Sequence, residues 1–114
     1  MIEAIIIDYL IGKTSAGNAV YAEKPQNLPA RYIIIEKTGG RVFDKIPNAT
    51  IAIKSVSKNS LLEAISLNEE VKAVMDAIVE LDSIGSCRLN SDYNFTDQTT
   101  KEYRYQAVFD ITHY

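Results

Sequence analysis

The sequence predicts an α+β domain over residues 1–114, with a small, mixed, mostly antiparallel sheet of about four to five strands and two helices packed on one face. Three observations support this prediction. Apolar residues recur at helical spacing near the N-terminus and again in the middle of the chain. Other segments alternate apolar and polar residues with the period of two that strands show. A length of 114 residues also fits one domain with its own core.

The first helix is predicted at Ile2–Leu10, where the apolar stripe consists of Ile2, Ile5, Ile6, Tyr9 and Leu10. Three consecutive isoleucines also suit a strand, because β-branched side chains lose χ1 freedom in helices. Glu3 and Asp8 lie away from the stripe, which favours the helix. Gly12 marks its predicted end.

Five segments are predicted as strands: Val20–Glu23, Arg31–Lys37, Ala49–Val56, Cys87–Tyr93 and a last one within Asn94–Ile111. Pro25 and Pro29 lack backbone donors, so the segment around them is predicted to be a loop or an extended crossover.

The segment "RYIIIEK" is apolar on both of its faces. Ile33 and Ile35 point one way, whereas Tyr32 and Ile34 point the other. This pattern predicts a central strand that is covered by helices or by another subunit.

The link "TGGRVFDKIPN" between two predicted strands is longer than a tight turn requires. Gly39 and Gly40 permit positive φ, which suits a long β-hairpin connection or its tip. We interpret the surplus length, over Gly39–Pro47, as a contact arm.

A long helix is predicted to begin at Ser60, because Ser60 and Glu63 have the spacing of a capping box. It should run to about Leu81. Ser66 and Asn68 weaken its middle, so a break there is an alternative. The residues on or near its apolar face are Ile65, Val71, Val74, Met75, Ile78 and Val79.

Apolar and polar residues alternate along the last predicted strand. One face carries Tyr103, Tyr105, Ala107, Phe109 and Ile111, and the other carries Glu102, Arg104, Gln106, Asp110 and Thr112, with Val108 as the exception. This pattern predicts one face on the core and one face that is wet or touches a polar partner.

Composition narrows the function classes. The formal net charge is −3 and the basic residues are scattered, so the sequence predicts no sequence-specific nucleic-acid binding. The single cysteine, Cys87, suits a reducing compartment. The apolar N-terminal stretch is short and contains Glu3 and Asp8, which predicts neither a signal peptide nor a membrane span.

Candidates for catalysis are few. His113 is the only histidine and adjoins the C-terminus, and Cys87 is expected to be a small buried hydrophobe instead of a nucleophile. The acidic pair Glu69 and Glu70 is expected on the solvated arc of the long helix. The tyrosines of the last strand are expected to pack, because a base-stacking platform would need more basic neighbours than Arg104.

Metal and phosphate sites are also not expected. Asp92 and Asp97 flank a turn, but they lack the spacing of a calcium loop and fit ordinary turn chemistry better. Gly12-Lys13-Thr14 resembles the end of a phosphate loop, yet it follows a helix and lacks the earlier glycine. The sequence therefore predicts no catalytic, cofactor or metal site.

The order of elements resembles the tail terminator (tail completion) proteins of long-tailed bacteriophages, the minor-tail-protein-U-like family. The resemblance covers nearly the whole chain. After the N-terminal helix it lies in "VYAEKPQNLPARYIIIEKTGG", in "NATIAIKSVSKNSLLEAISLNEEVKAVMDAI" and in "NFTDQTTKEYRYQAVFDI", where Thr-Asp precedes a Tyr-Arg-Tyr strand.

The resemblance implies a non-enzymatic subunit, without a cofactor, that closes into a ring with copies of itself, commonly a hexamer. Such rings cap the tail tube, end its polymerisation and present a surface to the head-completion or connector protein. It implies assembly in the host cytoplasm and a final place in the virion tail.

For subunit or tube contacts we predict a set of residues from the contact arm and the polar face of the last strand: Gly39, Gly40, Arg41, Phe43, Asp44, Lys45, Arg104 and Gln106. Alternatives are another head–tail connector or neck protein and, from a different class, a ligand-binding regulatory α/β domain. An enzyme ranks last, since no cluster of reactive groups is visible.

Overall fold

The computed structural model describes residues 1–27, 29–43, 46–97, 99–100 and 102–114, without the side chains of Arg41 and Phe43. These residues form two helices, α1 and α2, and five strands, β1 to β5. In chain order the elements are α1 (Ile2–Leu10), β1 (Val20–Tyr21), β2 (Arg31–Phe43), β3 (Ile46–Ser57), α2 (Leu61–Met75), a 3₁₀ turn (Ile78–Glu80), β4 (Ile84–Asn94) and β5 (Tyr103–His113).

The strands form one sheet in the order β1-β2-β3-β5-β4. The β1–β2 pair is parallel, and the β2–β3, β3–β5 and β5–β4 pairs are antiparallel. The predicted fold class, a mixed and mostly antiparallel sheet with two helices on one face, is therefore confirmed.

Both helices cover the same face of the sheet, which we call the covered face. Its strand residues form one apolar cluster with the buried stripes of both helices: Ile33, Ile35, Ile51, Ile53, Ala107, Phe109 and Ile111 from the strands, and Ile2, Ile6, Leu10, Leu67, Val71 and Met75 from the helices. The Tyr9 hydroxyl donates to the Val74 carbonyl oxygen (2.7 Å) and ties α1 to α2.

The helix α1 has the predicted bounds. Ile2, Ile6 and Leu10 are buried, one per turn. Gly12 follows with a φ of 79°, a left-handed conformation that glycine adopts at little cost, so the helix stops where the sequence predicts.

The predicted long connection after Lys37 is largely strand, which corrects the sequence interpretation. β2 continues to Phe43 and β3 begins at Ile46, with continuous pairing between them. Gly39 and Gly40 do not use positive φ; among the described residues the positive-φ glycines are Gly12 and Gly17.

Two local features let the strands pass through this glycine pair. The register shifts between Lys37 and Gly39, a β-bulge that leaves Thr38 unpaired. At Gly40 a Cβ atom would lie 3.1 Å from the Asn48 carbonyl oxygen and 2.9 Å from Lys37 Cε. Gly40 is therefore explained by close backbone approach and not by a turn.

The start of α2 confirms half of the capping box. The Ser60 hydroxyl accepts from the Glu63 backbone N–H (3.1 Å), as predicted. The Glu63 carboxylate instead meets the Arg31 side chain (3.0 Å) and accepts from Asn59. Arg31 on β2 and the Asn59 side chain thus bind the Glu63 carboxylate, which in a full capping box would accept from the Ser60 backbone N–H.

The helix α2 continues through Ser66 without a break and ends at Met75, earlier than the predicted end at Leu81. The buried 3₁₀ residue Ile78 fits the expected apolar face, but Val79 is 45% exposed. Asn68 does not interrupt the helix either; it is fully buried, and its amide N–H donates to Asp92 on β4 (3.2 Å).

Candidate assembly surfaces

The sheet face that points away from the helices, which we call the open face, carries the polar half of the predicted alternation. Because side chains alternate along a strand, residues between the covered ones project to this side. They include Glu36, Lys54, Arg104, Gln106 and Asp110, brought side by side by the β2–β3 and β3–β5 registers. Tyr103 and Tyr105 belong to the covered side, so they do not form a stacking platform with Arg104.

Charges on the open face are neutralised in pairs. Lys54 contacts Glu36 (2.8 Å), Lys24 contacts Glu102 (3.0 Å), and Arg104 lies 3.6 Å from Asp97. Lys54–Glu36 and Arg104–Asp97 remain partly exposed, and exposed ion pairs are worth about 0–1 kcal/mol each. Their main effect is to leave this region of the surface without a strong field of either sign.

Glu102 is the most deeply set of these carboxylates. The buried Tyr32 hydroxyl donates to it (2.6 Å), and Lys24 is its cation. Burial alone would raise the pKa of Glu102, but the hydrogen bonds from Tyr32 and Lys24 together hold it below its ordinary value. The pKa of Tyr32 is raised, first by burial and then by Glu102, so its hydroxyl stays protonated.

An aromatic pair stands beside these ion pairs. The Tyr93 and Phe95 rings meet edge to face at 6.2 Å, and both side chains remain about two-fifths exposed (41% and 42%). Lys54 and Arg104 approach the Phe95 ring at 5.6 Å and 5.2 Å, and Gln106 donates to the Tyr93 hydroxyl (2.6 Å).

This aromatic pair was not predicted from the sequence. Tyr93 lies on β4, which ends at Asn94, and Phe95 comes directly after the strand. An aromatic residue two positions after another, next to an alternating strand, indicates a shared face, and that spacing could have revealed the pair.

A hollow lies over the start of β2 and is bordered by Lys54 and Arg104, the two cations that approach the Phe95 ring. Its apolar lining is Ala22, Tyr32, Ile34 and Val56, and its charged lining is Glu23, Lys24, Glu36, Lys54, Glu102 and Arg104. The volume is about 250 Å³. Ligand pockets usually start at about 300 Å³, so this hollow is small for a metabolite.

Two further hollows, of about 300 and 400 Å³, lie at the other end of the open face. They share the polar residues Asn48, Arg88 and Asp110. Small-molecule sites are mostly apolar with a few convergent polar groups, and this polar lining does not have that character.

The tip of the β2–β3 hairpin forms a second surface, here called the hairpin tip and defined by Val42 and Ile46. β3 pairs with β5 as far as Asn48, so these two residues project beyond the five-stranded body. Their side chains are 68% and 37% exposed.

The predicted contact residues thus fall into two groups that the structure does not bring together. Gly39 and Gly40 are strand residues, Arg41 and Phe43 have described backbones only, and Asp44 and Lys45 lie outside the described residues. The second group, Arg104 and Gln106, lies on the open face beside Val56 and Lys54.

The reactive residues occupy structural positions. Cys87 packs against the core, and burial raises the pKa of its thiol to about 11, which disfavours the nucleophilic thiolate. His113 ends β5, and its pKa is lowered, first by burial and then by the charge of Lys37. Within the described ranges no three His, Cys, Asp or Glu residues gather as metal ligands.

The aspartates named by the sequence also have structural partners. Asp92 accepts from Lys72 (2.8 Å) and Asn68, which clamps β4 to α2. Asp97 accepts from the Thr99 backbone N–H (2.9 Å), the local turn bond that the sequence suggested. Across the described part of the chain, no helix has the length and apolarity to span a bilayer.

No family model matches the sequence, and comparison with curated proteins gives no match. Among solved structures, a chain described as "Virion of native gene transfer agent (GTA) particle" is similar. The TM-score is 0.59 at 14% sequence identity, and the alignment covers 97% of this chain and 92% of that chain. The likeness shows that the two chains share a fold over nearly their whole lengths.

Proposed function

We propose that this protein is a structural virion subunit, a tail terminator that closes into a ring, caps the tail tube and offers a surface for head joining. The observation that carries the proposal is the fold shared, end to end, with a chain of a gene transfer agent virion. It agrees with the order of elements that resembles the tail terminator family.

The architecture supports self-assembly. A cyclic ring needs two different patches on each subunit, so that one patch meets the other on the neighbour. The hairpin tip and the part of the open face around Lys54 and Arg104 are two such patches, and they lie at different ends of the sheet. We propose the host cytoplasm as the place of assembly and the virion tail as the final location.

The decisive experiment measures tube length. Purified protein is added to the polymerising tail tube protein of the same particle, and tubes are measured by negative-stain electron microscopy. We expect shorter, capped tubes and a ring-sized mass, for instance a hexamer, by native mass spectrometry. Tubes of unchanged length with no bound subunit would refute the proposal.

Charge reversal tests the predicted contact residues individually. We expect Arg41→Glu and Arg104→Glu each to lower the assembled mass, because both place a carboxylate in a proposed contact. Arg88→Glu, at an exposed position on the sheet outside the predicted set, is the control. Unchanged assembly in both test variants would remove these residues from the interface.

Another connector or neck protein is the second candidate, since the same small fold would serve there. Particles that lack the subunit separate the two functions. Overlong tails indicate a terminator, whereas tailless heads indicate a connector.

A further inference from the structure

We propose that the hairpin tip of one subunit seats in the open-face hollow of the next, beside Phe95. This contact deepens the proposed ring function and rests on it. It specifies which two surfaces of the chain meet.

Both surfaces expose apolar groups that the single chain leaves uncovered. Val42 on the hairpin tip is 68% exposed, and Ile46 is 37% exposed. The hollow offers the half-buried Ile34 inside a rim of charged side chains, and the exposed Phe95 ring lies next to it, whereas Val56 and Tyr32 are already buried within the chain. An apolar centre inside a polar rim, with an aromatic and an arginine close by, is the usual anatomy of a protein contact.

A tip cannot reach the hollow of its own chain. Ile46 stands eight positions before Lys54 on the same strand, about 26 Å away at about 3.3 Å per residue. Lys54 borders the hollow and pairs with Ile34 across the strands. The occupant must therefore come from outside, and a second copy supplies a matching apolar projection.

Charge also favours a second copy over a strongly charged partner. The rim has three acids and three bases, and four of these six residues form ion pairs, Lys24 with Glu102 and Lys54 with Glu36. The hollow therefore has little net field with which to attract an acidic or a basic segment. The tip sequence "VFDKI" is likewise neutral, with one acid and one base.

Pairing of sheet edges is a weaker alternative for the same interface. β4 is an edge strand, but register shifts at Gly85 and Asn90 interrupt it. The distal half of β2 carries the bulge at Thr38. Bulges are features by which proteins discourage edge-to-edge association, so the side-chain contact fits this chain better.

A mixing experiment tests the contact, because the two surfaces differ. Val42→Asp places a charge on the hairpin tip and leaves the hollow unchanged. Phe95→Asp removes the aromatic ring beside the hollow and leaves the hairpin tip unchanged. We expect each variant alone to be monomeric by native mass spectrometry, with unchanged circular dichroism. An equimolar mixture should give a dimer with one copy of each variant and nothing larger, since only one intact contact remains.

Leu62→Asp is the matched control, because Leu62 is 77% exposed on α2, away from both surfaces, and its variant should assemble as the unmodified chain does. Val42→Ala and Phe95→Ala repeat the test if an aspartate variant loses its fold. Assembly of either test variant at full size, a mixture that stays monomeric, or an unmodified chain that is monomeric alone and with tube protein would each overturn the contact.

The tube-length measurement keeps this inference separate from the proposed function. Tubes capped by a chain whose tip and hollow variants assemble normally would refute the contact and leave the terminator function standing. If the contact is confirmed but the chain leaves tube length unchanged, the contact stands and the terminator function is refuted.

Discussion

The covered and open faces of the sheet come from the same strands yet have opposite chemistry. On β2, Ile33 and Ile35 are at most 1% exposed beneath the helices. The alternate residues of the same strand lie on the open face, where Ile34 borders the hollow and Glu36 forms an ion pair with Lys54. The covered face stabilises the fold by burial, at about 25 cal/mol per Å² of apolar surface.

This contrast indicates which face can acquire new binding partners. Ion pairs on a wet surface add little stability, so the open face can change its side chains without unfolding the domain. The covered face lacks this freedom because its side chains interlock with those of two helices. Substitutions should therefore separate into those that unfold the chain and those that alter assembly.

Two adjacent isoleucines give the largest expected contrast. Ile35→Ala should lower the free energy of unfolding by about 2–5 kcal/mol, because it opens a cavity under the helices. Ile34→Ala, on the half-buried open side, should cost roughly 1–2 kcal/mol. Urea denaturation of both variants at the same protein concentration measures the difference. Equal losses of unfolding free energy in the two variants would mean that both faces contribute equally to stability, which contradicts the proposed difference.

The Tyr32–Glu102 bond is where the open face does contribute to stability. Tyr32→Phe should cost about 1.5–3 kcal/mol, since it removes a hydrogen bond to a charged group that is largely buried. Tyr21→Phe is the control, as the Tyr21 hydroxyl makes no side-chain hydrogen bond within the described chain. A similar loss in both variants would assign the effect to general packing.

The same bond should make stability depend on acidity. Because the folded state lowers the pKa of Glu102, its contribution is fully present above the ordinary value of 4.5. It is lost as the pH falls below that value and the carboxylate takes up a proton. Denaturation midpoints measured downward from neutral pH should show a shallower decline in Glu102→Gln than in the unmodified chain. An identical decline would rule out this carboxylate as the source.

The smallest expected effect distinguishes the two hairpin glycines. Gly40→Ala should cost about 1 kcal/mol, because its Cβ would crowd the Asn48 carbonyl oxygen at 3.1 Å. Gly39→Ala meets Thr50 at an ordinary 4.0 Å and should be neutral or stabilise by roughly 0.5 kcal/mol. Thermal unfolding compares the pair. A tolerated Gly40→Ala would show that the hairpin backbone is more adaptable than its close approach suggests.

Local patterns predicted the parts of this fold that depend on near neighbours. The bounds of α1, the Ser60 cap and the alternation of β5 all rest on spacings of a few residues. The extended hairpin was not predicted, because glycine and proline near Gly40 and Pro47 normally signal a turn. Continuous pairing with the opposite strand overrode that signal.

The candidate surfaces were predicted only in part. The sequence indicated the arm and the polar side of β5, but not that Phe95 lies against Lys54 and Arg104. Those residues come from three separate stretches of chain, and no local spacing connects them. The hollow between them exists only after β2, β3 and β5 have aligned.

The sequence by itself determined which side chains share a face, because periods of 3.6 and 2.0 are properties of the backbone. Tertiary structure alone decided which strand lies beside which, where Glu63 and Asn68 find their partners, and how far the hairpin extends. Those outcomes depend on residues distant in sequence, whose packing free energy outweighs local preference once the sheet has formed.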